Sequence, residues 1–309
     1  MNLLRIYFQR GNNIVQLKRY SGNPILEPIK KNRWECGAVF NCAAVYDGEK
    51  THLLYRAIGE YDIYISSLGH AVSDDGLNFQ RHDQPVFEPK EEYERFGCED
   101  PRITPIDGKY YITYTALSNK AWSGSGNRVA LATTKDFRSF ERHGIILPDM
   151  ENKDAVIFPE KVKGKYIMYH RIMPDIWIAY SDDLIEWTGH KKVMEPREGL
   201  WDCKKIGAGA PPVKTEKGWL LFYHGVDDER FYRLGIALFD LENPVKLIAR
   251  QEEPILEPEE KWELEGDVSK VVFNCGVAEI EDTYYVYYGG ADTVIGVGTV
   301  SKADSMDFL

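Results

Sequence analysis

The sequence lacks the features that mark membrane proteins and nucleic-acid-binding proteins. It contains no apolar run of about 18 residues, so no membrane-spanning helix is predicted. Its formal net charge of -11 opposes a general attraction to phosphate backbones or to anionic lipid. We therefore expect neither nucleic acid nor a membrane as a partner, and any anion site should be a local pocket of basic side chains.

Cysteine is scarce and shows no pattern. The five cysteines are odd in number and none has CxxC spacing, which argues against a disulfide framework and against a metal site. Residues 1–13 have two arginines within a short apolar run and no small-residue cleavage pattern, so they are not predicted to be a signal peptide. A reducing cytoplasm is the compartment that fits these features.

Linkers rich in proline, glycine or serine are also absent, and no convincing amphipathic helix is present. What the sequence does contain is an internal repeat. Five apolar and aromatic segments end in a tyrosine that is followed by a variable residue, at spacings of 54 to 65 residues. These tyrosines are Tyr55, Tyr114, Tyr169, Tyr223 and Tyr288.

Each repeated segment follows a turn signal, and strand candidates lie before and after it, so that one unit holds four strands. Five such units predict an all-β fold, a five-bladed β-propeller with four-stranded antiparallel blades that spans residues 1–309 as one domain. We expect a strand near Asn13 to Arg19 to close the ring, because closure removes exposed sheet edges. A β-sandwich is the alternative, but it would not repeat the same order of elements in every unit.

In a propeller the first strand of each blade lines the central channel, so residues that differ between equivalent positions are candidates for function. The residues after the repeated tyrosines are Arg56, Thr115, His170, His224 and Gly289. Candidates near the starts of the first and third strands are Asn41, Asp100, Glu160, Asn274, Lys204, Lys205, Arg128 and Tyr232. His82, His143 and His190 occupy equivalent repeat positions and are interpreted as structural.

The segment GCEDPRIT, Gly97 to Thr104, places two adjacent carboxylates before a proline. Pro101 favours an extended backbone at Asp100, and Arg102 lies close enough along the chain to influence the charge of the acids. A stiffly held acid pair is typical of a catalytic site. The alternative is a strand-entry loop whose acids are solvated or paired with Arg102.

One acid that faces a group of basic side chains favours phosphorolysis over hydrolysis. An inverting glycosidase needs a general acid and a general base, whereas inorganic phosphate is already an anionic nucleophile that needs cations to hold it. Other interpretations remain open for single residues. Arg56 could pair with an acid of a neighbouring blade, His170 and His224 could be channel histidines bonded to the backbone, and Lys204 or Lys205 could be solvated.

Several long motifs resemble glycoside hydrolase family 130, the β-mannoside phosphorylases, over nearly the whole chain. The motifs that carry the resemblance include FNCAAVYDG at 40–48, YRA at 55–57, GCEDPRIT, KIGAGAPPVKT at 205–215 and YYGGADT at 287–293. The resemblance implies a five-bladed propeller that acts as a glycosyltransferase. The implied reaction is reversible phosphorolysis of β-mannosides with inversion, which yields α-mannose 1-phosphate.

The resemblance also implies roles for single residues. Asp100 would be the proton donor, acting through the mannose 3-hydroxyl. The expected phosphate contacts are Arg56, Lys205, His170 and Tyr232, to which the repeat adds Arg128. The expected substrate contacts are Asn41, Glu99, Arg102, His224, Phe273 and Asp292.

No metal or cofactor is expected beyond phosphate as co-substrate, and the family suggests a homodimer. Two other functions stay open, a hydrolase on the same propeller with a glutamate such as Glu160 as base and a non-catalytic mannoside-binding propeller. The choice between β-1,2 and β-1,4 linkages also stays open.

Overall fold

The repeated tyrosines lie on the second strands of five antiparallel sheets, which confirms the five-bladed β-propeller. The computed structural model describes residues 14–121, 123–148 and 150–309. Residues 1–13, for which no signal peptide is predicted, lie outside the described residues. In that part of the chain, no helix is long and apolar enough to cross a membrane.

Twenty-one strands form the sheets within the described ranges, and we number the blades I to V in chain order. In chain order the strands are β1 (Lys18–Arg19); β2 (Ala38–Tyr46), β3 (Thr51–Ile58), β4 (Ser66–Ser73) and β5 (Gln80–Arg81) of blade I; β6 (Cys98–Ile106), β7 (Lys109–Leu117), β8 (Asn127–Thr134) and β9 (Phe140–Ile145) of blade II; β10 (Lys153–Ile157), β11 (Tyr166–Ile172), β12 (Asp175–Ser181) and β13 (Thr188–Met194) of blade III; β14 (Lys205–Ala208), β15 (Val213–Lys214), β16 (Trp219–Val226), β17 (Tyr232–Phe239) and β18 (Leu247–Arg250) of blade IV; and β19 (Val272–Ile280), β20 (Thr283–Gly290) and β21 (Val294–Ser301) of blade V. The helices are short: a 3-10 helix at Glu92–Glu94, the α-helix α1 at Lys261–Leu264 and a 3-10 helix at Asp304–Met306.

The ring is closed by the start of the chain, as predicted. Strand β1 pairs with β21, with Lys18 opposite Thr299, and so becomes the outer strand of blade V. Just before it, the Val15 amide donates to the side chain of Gln251 at 2.7 Å. The first strands β2, β6, β10, β14 and β19 surround the axis and contact one another.

Four of the five repeated tyrosines are held by the same buried arrangement. In blade II the Tyr114 hydroxyl donates to Glu94 at 2.6 Å, and Arg142 on the outer strand donates to the same carboxylate at 2.8 Å. Equivalent groups of tyrosine, acid and arginine, which we call triads, are Tyr55, Glu35 and Arg81 in blade I, Tyr223, Asp202 and Arg250 in blade IV, and Tyr288, Glu263 and Arg19 in blade V. Because each triad ties the linker and the outer strand of a blade to its second strand, the tyrosine recurs in the sequence.

Blade III shows no triad among the residues that the structure describes. Its repeated tyrosine, Tyr169, donates instead to the backbone carbonyl of Pro244 at 2.6 Å.

Bulges in the first strands turn polar side chains towards the axis. The pairing register shifts at Asn41 in β2, at Asp100 in β6 and at Asp154 in β10. All three residues have positive φ values, 45°, 46° and 55° respectively. The extended backbone predicted for Asp100 is therefore wrong, because the bulge sets its conformation.

The first strand of blade III lies earlier in the sequence than predicted. It is β10, and Glu160 follows it in an exposed turn, where it pairs with Lys214 at 2.5 Å. The bulge residue of blade III is therefore Asp154 and not Glu160. Glu160 lies at the opposite end of the channel from the starts of the first strands, so its predicted role as a hydrolytic base is wrong.

Candidate active site

The first strands begin around a cavity of about 270 Å³ at one mouth of the channel. It is lined by four basic and four acidic residues, Arg56, Lys153, Arg171, Lys205, Glu99, Asp100, Asp154 and Asp292. Asn41, Asn127, Tyr232 and Phe273 are among the other lining residues. The ring has thus brought together side chains from all five blades.

Asp100 is a buried carboxylate held by two neighbours of blade I. Asn41 donates to its Oδ1 at 2.8 Å, and the Arg56 guanidinium lies 3.2 Å from the same oxygen. Burial raises the pKa of Asp100, but the positive charges of Arg56 and Lys153 outweigh it, so the pKa lies below its ordinary value. Oδ2 has no hydrogen-bond partner among the described residues, so one carboxylate oxygen remains available to a ligand.

Arg56 joins blades I and II through a network of buried groups. It donates to Glu99 at 2.5 Å and to the Ser66 hydroxyl at 2.9 Å, in addition to its contact with Asp100. Lys153 approaches the other oxygen of Glu99 at 3.6 Å. Arg56 therefore does pair with acids of the neighbouring blade, and Glu99 positions two cations.

Asp154 is the centre of a second charged network, between blades II, III and IV. Arg102 donates to its Oδ1 at 3.0 Å, and Arg171 lies 2.6 Å from its Oδ2. Burial raises the pKa of Asp154, but Arg171, Arg102 and His224 together bring it well below its ordinary value. The carboxylate therefore stays charged and fixes the side chain of Arg171 in the cavity wall.

Lys205 forms no salt bridge with a carboxylate in the part of the chain described, and Asp154 attracts its charge only from a longer distance. Its Nζ lies 5.0 Å from the centre of the Tyr232 ring. Burial, together with the positive charges of Arg171 and Lys153, lowers the pKa of Lys205 to about 8. An anion bound beside Lys205 would relieve this repulsion.

Asp292 brings a further acid to the blade V side of the cavity, with a φ of 51°. Burial raises the pKa of Asp292 to about 7, because the attraction of Arg56 is offset by the repulsion of Asp100 and Glu99. Asp292 therefore exchanges a proton near neutral pH, unlike Asp100 and Asp154, whose pKa values are lowered.

Two predicted phosphate contacts, His170 and Arg128, do not line the cavity. The ring nitrogens of His170 are engaged by Asn152 at 2.8 Å and by His190 at 3.0 Å. Arg128 lies 2.6 Å from the carboxylate of Glu151 and donates to the Pro148 carbonyl.

His170 lies away from the cavity because the pairing register of blade III is shifted by one residue relative to blades I and II. The bulge of the first strand lies opposite Tyr55 in blade I and Tyr114 in blade II, but opposite His170 in blade III. A shift of one residue reverses which side chains face the axis. Arg171, paired with Lys153, therefore occupies the position that was predicted for His170.

Two predicted substrate contacts, Arg102 and His224, lie beneath the cavity wall. Arg102 is 1% exposed, and all three guanidinium nitrogens donate to protein acceptors, including the carbonyl of Gly209 at 3.0 Å. His224 is fully buried, its ring packs at a tilt against Phe273 with the ring centres 4.2 Å apart, and it lies 3.5 Å from Asp154. Burial lowers the pKa of His224 to about 4, so it is neutral at pH 7. Both residues support the wall.

Lys153, Asp154 and Arg171 are cavity residues that the sequence reasoning missed. The signal was present, because Lys153 and Asp154 precede an apolar strand in the same way as Glu99 and Asp100 do. The prediction took Glu160 as the residue near the start of this strand, which concealed the signal.

Comparisons with known proteins agree with this geometry. A family model described as beta-1,4-mannooligosaccharide phosphorylase, Glyco_hydro_130, matches residues 12–309. A 1,2-beta-oligomannan phosphorylase of Thermoanaerobacter sp. (strain X514) is 53% identical over 296 residues, which cover 94% of this chain and 99% of the relative. The solved complex of the Listeria innocua beta-1,2-mannobiose phosphorylase with beta-1,2-mannobiose has a TM-score of 0.85 and 32% identity over 95% of this chain and 99% of that chain.

A further solved structure has a TM-score of 0.85 and 29% identity, and the match covers 98% of this chain and 97% of that chain. It is described as showing that the GH130 family of mannoside phosphorylases contains glycoside hydrolases that target beta-1,2 mannosidic linkages in Candida mannan. Structural similarity of this kind therefore includes both phosphorylases and hydrolases.

Proposed function

The chain belongs to glycoside hydrolase family 130, and on that premise we propose that it is a glycosyltransferase that cleaves β-mannosides with inorganic phosphate. The reaction inverts the anomeric carbon, releases α-D-mannose 1-phosphate and is reversible. The observation that carries the proposal is Lys205, which has no salt-bridge partner among the described residues and shares a cavity with Arg171 and Asp100. A cation without a carboxylate partner suits an anionic nucleophile, whereas water would not require it.

We place the phosphate between blades III and IV. Lys205 and Arg171 supply positive charge there, Lys153 lies beside them, and the Tyr232 hydroxyl is available as a donor. Arg56 is less available, because two of its nitrogens are bonded to Glu99 and Asp100. Its role in this proposal is to orient the carboxylates rather than to be the main phosphate ligand.

Asp100 serves as the proton donor to the departing sugar in this mechanism, through the mannose 3-hydroxyl. A general acid must be protonated, yet neighbouring cations depress the pKa of Asp100. Bound phosphate adds negative charge beside the same cations and so raises that pKa. Proton donation is thereby coupled to the presence of the nucleophile.

Hydrolysis is the second candidate, and Asp292 is the observation that favours it. Asp292 lies in the same cavity as Asp100, and burial raises its pKa to about 7, so it could accept a proton from water. We favour phosphorolysis because three basic residues line the blade III and IV side of the cavity. In phosphorolysis we assign Asn41, Asp292 and Phe273 to the mannose.

We infer the β-1,2 linkage from the relatives. The 53% identical relative and the Listeria protein are both described as acting on β-1,2-linked substrates, although the description of the family model refers to β-1,4 linkages. A cytoplasmic location fits the five free cysteines. We expect no cofactor besides phosphate and a homodimeric state, which light scattering would test.

The decisive experiment incubates β-1,2-mannobiose with the protein in the presence and absence of phosphate. We expect mannose 1-phosphate only when phosphate is present, and Asp100→Asn should lower turnover by about 10²- to 10⁴-fold with an unchanged circular dichroism spectrum. Release of free mannose at the same rate without phosphate would establish the hydrolase. An active Asp100→Asn variant would remove Asp100 from the mechanism. Linkage analysis of the product made from mannose 1-phosphate and mannose tests the β-1,2 assignment.

A further inference from the structure

We propose that the mouth loop of blade I, residues 59–65, forms the binding surface for the sugar units beyond the cleaved bond, with the ring of Tyr61 as their platform. The inference rests on the proposed function, and it adds the site of the acceptor chain. It depends on the size of the cavity, on the opposite sides from which the nucleophile enters and the leaving group departs, and on the side chains at the rim.

The cavity is too small for a chain of sugars. Its volume of about 270 Å³ lies just below the range of about 300–1,000 Å³ that is usual for sites of small organic ligands. One mannose unit and one phosphate occupy such a space. Further sugar units must therefore lie on the rim.

The stereochemistry selects the side of the rim. In an inverting displacement the nucleophile and the leaving group lie on opposite sides of the anomeric carbon. Lys153, Arg171 and Lys205 place the phosphate at blades III and IV. In a ring of five blades, blade I lies across the axis from the boundary between blades III and IV, so the departing sugar chain points towards blade I.

Blade I has a suitable surface at this place. Tyr61 is 44% exposed, and its hydroxyl donates to the Gly37 carbonyl at 3.2 Å, which holds the ring in place. Ile63 and Ile65 of the same loop are 60% and 37% exposed. An aromatic ring beside apolar side chains suits the apolar face of a pyranose.

A hydrogen bond to blade V fixes this loop beside the cavity. The Tyr64 hydroxyl donates to Asp267 at 2.6 Å, and Val268, the next residue, lines the cavity. Burial raises the pKa of Tyr64, which also lies close enough to Arg56 for its positive charge to oppose that rise. The rings of Tyr61 and Tyr64 are 6.2 Å apart, so the platform lies next to the site.

On the opposite side of the mouth, blade III has a shorter loop than blade I. The turn between the second and third strands of blade III consists of Met173 and Pro174 alone, and Met173 is 59% exposed. This short turn offers no aromatic surface, but it provides a matched control because it carries an exposed apolar side chain at the same mouth.

The test uses the synthetic direction, with mannose 1-phosphate as donor and β-1,2-mannobiose or β-1,2-mannotriose as acceptor. Tyr61→Ala should raise the KM for the acceptor about five- to tenfold and leave the KM for mannose 1-phosphate within about twofold. Tyr61→Phe should restore most of the acceptor affinity, because it keeps the ring. Met173→Ala should leave both KM values unchanged.

Two outcomes would overturn the inference. One is an unchanged acceptor KM in Tyr61→Ala with both acceptors, and the other is an equal rise in the KM for mannose 1-phosphate. An equal rise in acceptor KM in Met173→Ala and Tyr61→Ala would not place the sugar chain at blade I, and it would also refute the inference. If the wild-type protein makes no product from mannose 1-phosphate, the proposed function itself fails, which is a separate result.

Discussion

The triads and the cavity both contain buried aspartate and glutamate side chains. They differ in whether these acids neutralise all of the basic side chains around them. Glu94 in its triad accepts bonds from Tyr114, from Arg142 and from the backbone amides of Lys90 and Glu91. In the cavity Glu99, Asp100 and Asp154 are also paired, yet Lys205 has no salt-bridge partner within the residues that the structure describes. The comparison suggests that complete pairing stabilises the blades, whereas incomplete pairing leaves the cavity ready for an anion.

The largest effect is expected when a triad is broken. Glu94→Ala leaves the Arg142 charge and the Tyr114 hydroxyl without their partner in the interior, so it should lower the free energy of unfolding by about 3–5 kcal/mol. Urea denaturation measures this loss. Glu94→Gln keeps an acceptor and should lose less, and a loss below about 1 kcal/mol in Glu94→Ala would show that the triad is not a stabilising unit.

The next effect concerns Lys205, the cation of the cavity that has no salt-bridge partner among the described residues. Lys205 is protonated below its lowered pKa of about 8 and loses its charge as the pH rises through that value. The KM for phosphate should therefore rise by up to about tenfold per pH unit above pH 8, which steady-state assays between pH 6 and about 10 would show. Lys205→Arg keeps its charge in this range and should shift the rise to higher pH. An identical pH profile for the two proteins would contradict the assignment.

The smallest effect compares blade II with blade III, which lacks a triad. Tyr114→Phe removes a bond to a carboxylate and should cost about 1.5–3 kcal/mol, whereas Tyr169→Phe removes a bond to a neutral carbonyl and should cost about 0.5–1.5 kcal/mol. Thermal or urea unfolding of the two variants gives the difference directly. Equal losses would mean that the carboxylate adds nothing to the tyrosine hydrogen bond.

The same comparison explains why the fold could be predicted from the sequence. The triads require tyrosine at one position of a blade, so Tyr55, Tyr114, Tyr223 and Tyr288 repeat and reveal the number of blades. Tyr169 keeps the position with a different partner. Their acids and arginines could not be predicted, because they come from linkers and outer strands of unequal length.

The site could be predicted only in part. The motifs place Asp100 and Lys205 near the starts of first strands and Arg56 directly after a repeated tyrosine, and the structure puts all three in the cavity. Blade III shows the limit of this reasoning. A shift of its bulge by one residue brings Arg171 to the axis instead of His170, and pairing register depends on contacts across strands that the order of residues does not reveal.

The junction of β1 with β21 has a consequence for biogenesis. Thr299 lies 281 residues after Lys18, so blade V cannot acquire its outer strand until β21 has been translated. Until then β1 has no partner in its own chain, and it can pair instead with the exposed edge of β21 in another copy. Proteolytic cleavage between Gln16 and Arg19 of the mature protein would expose the edge of β21 and promote aggregation.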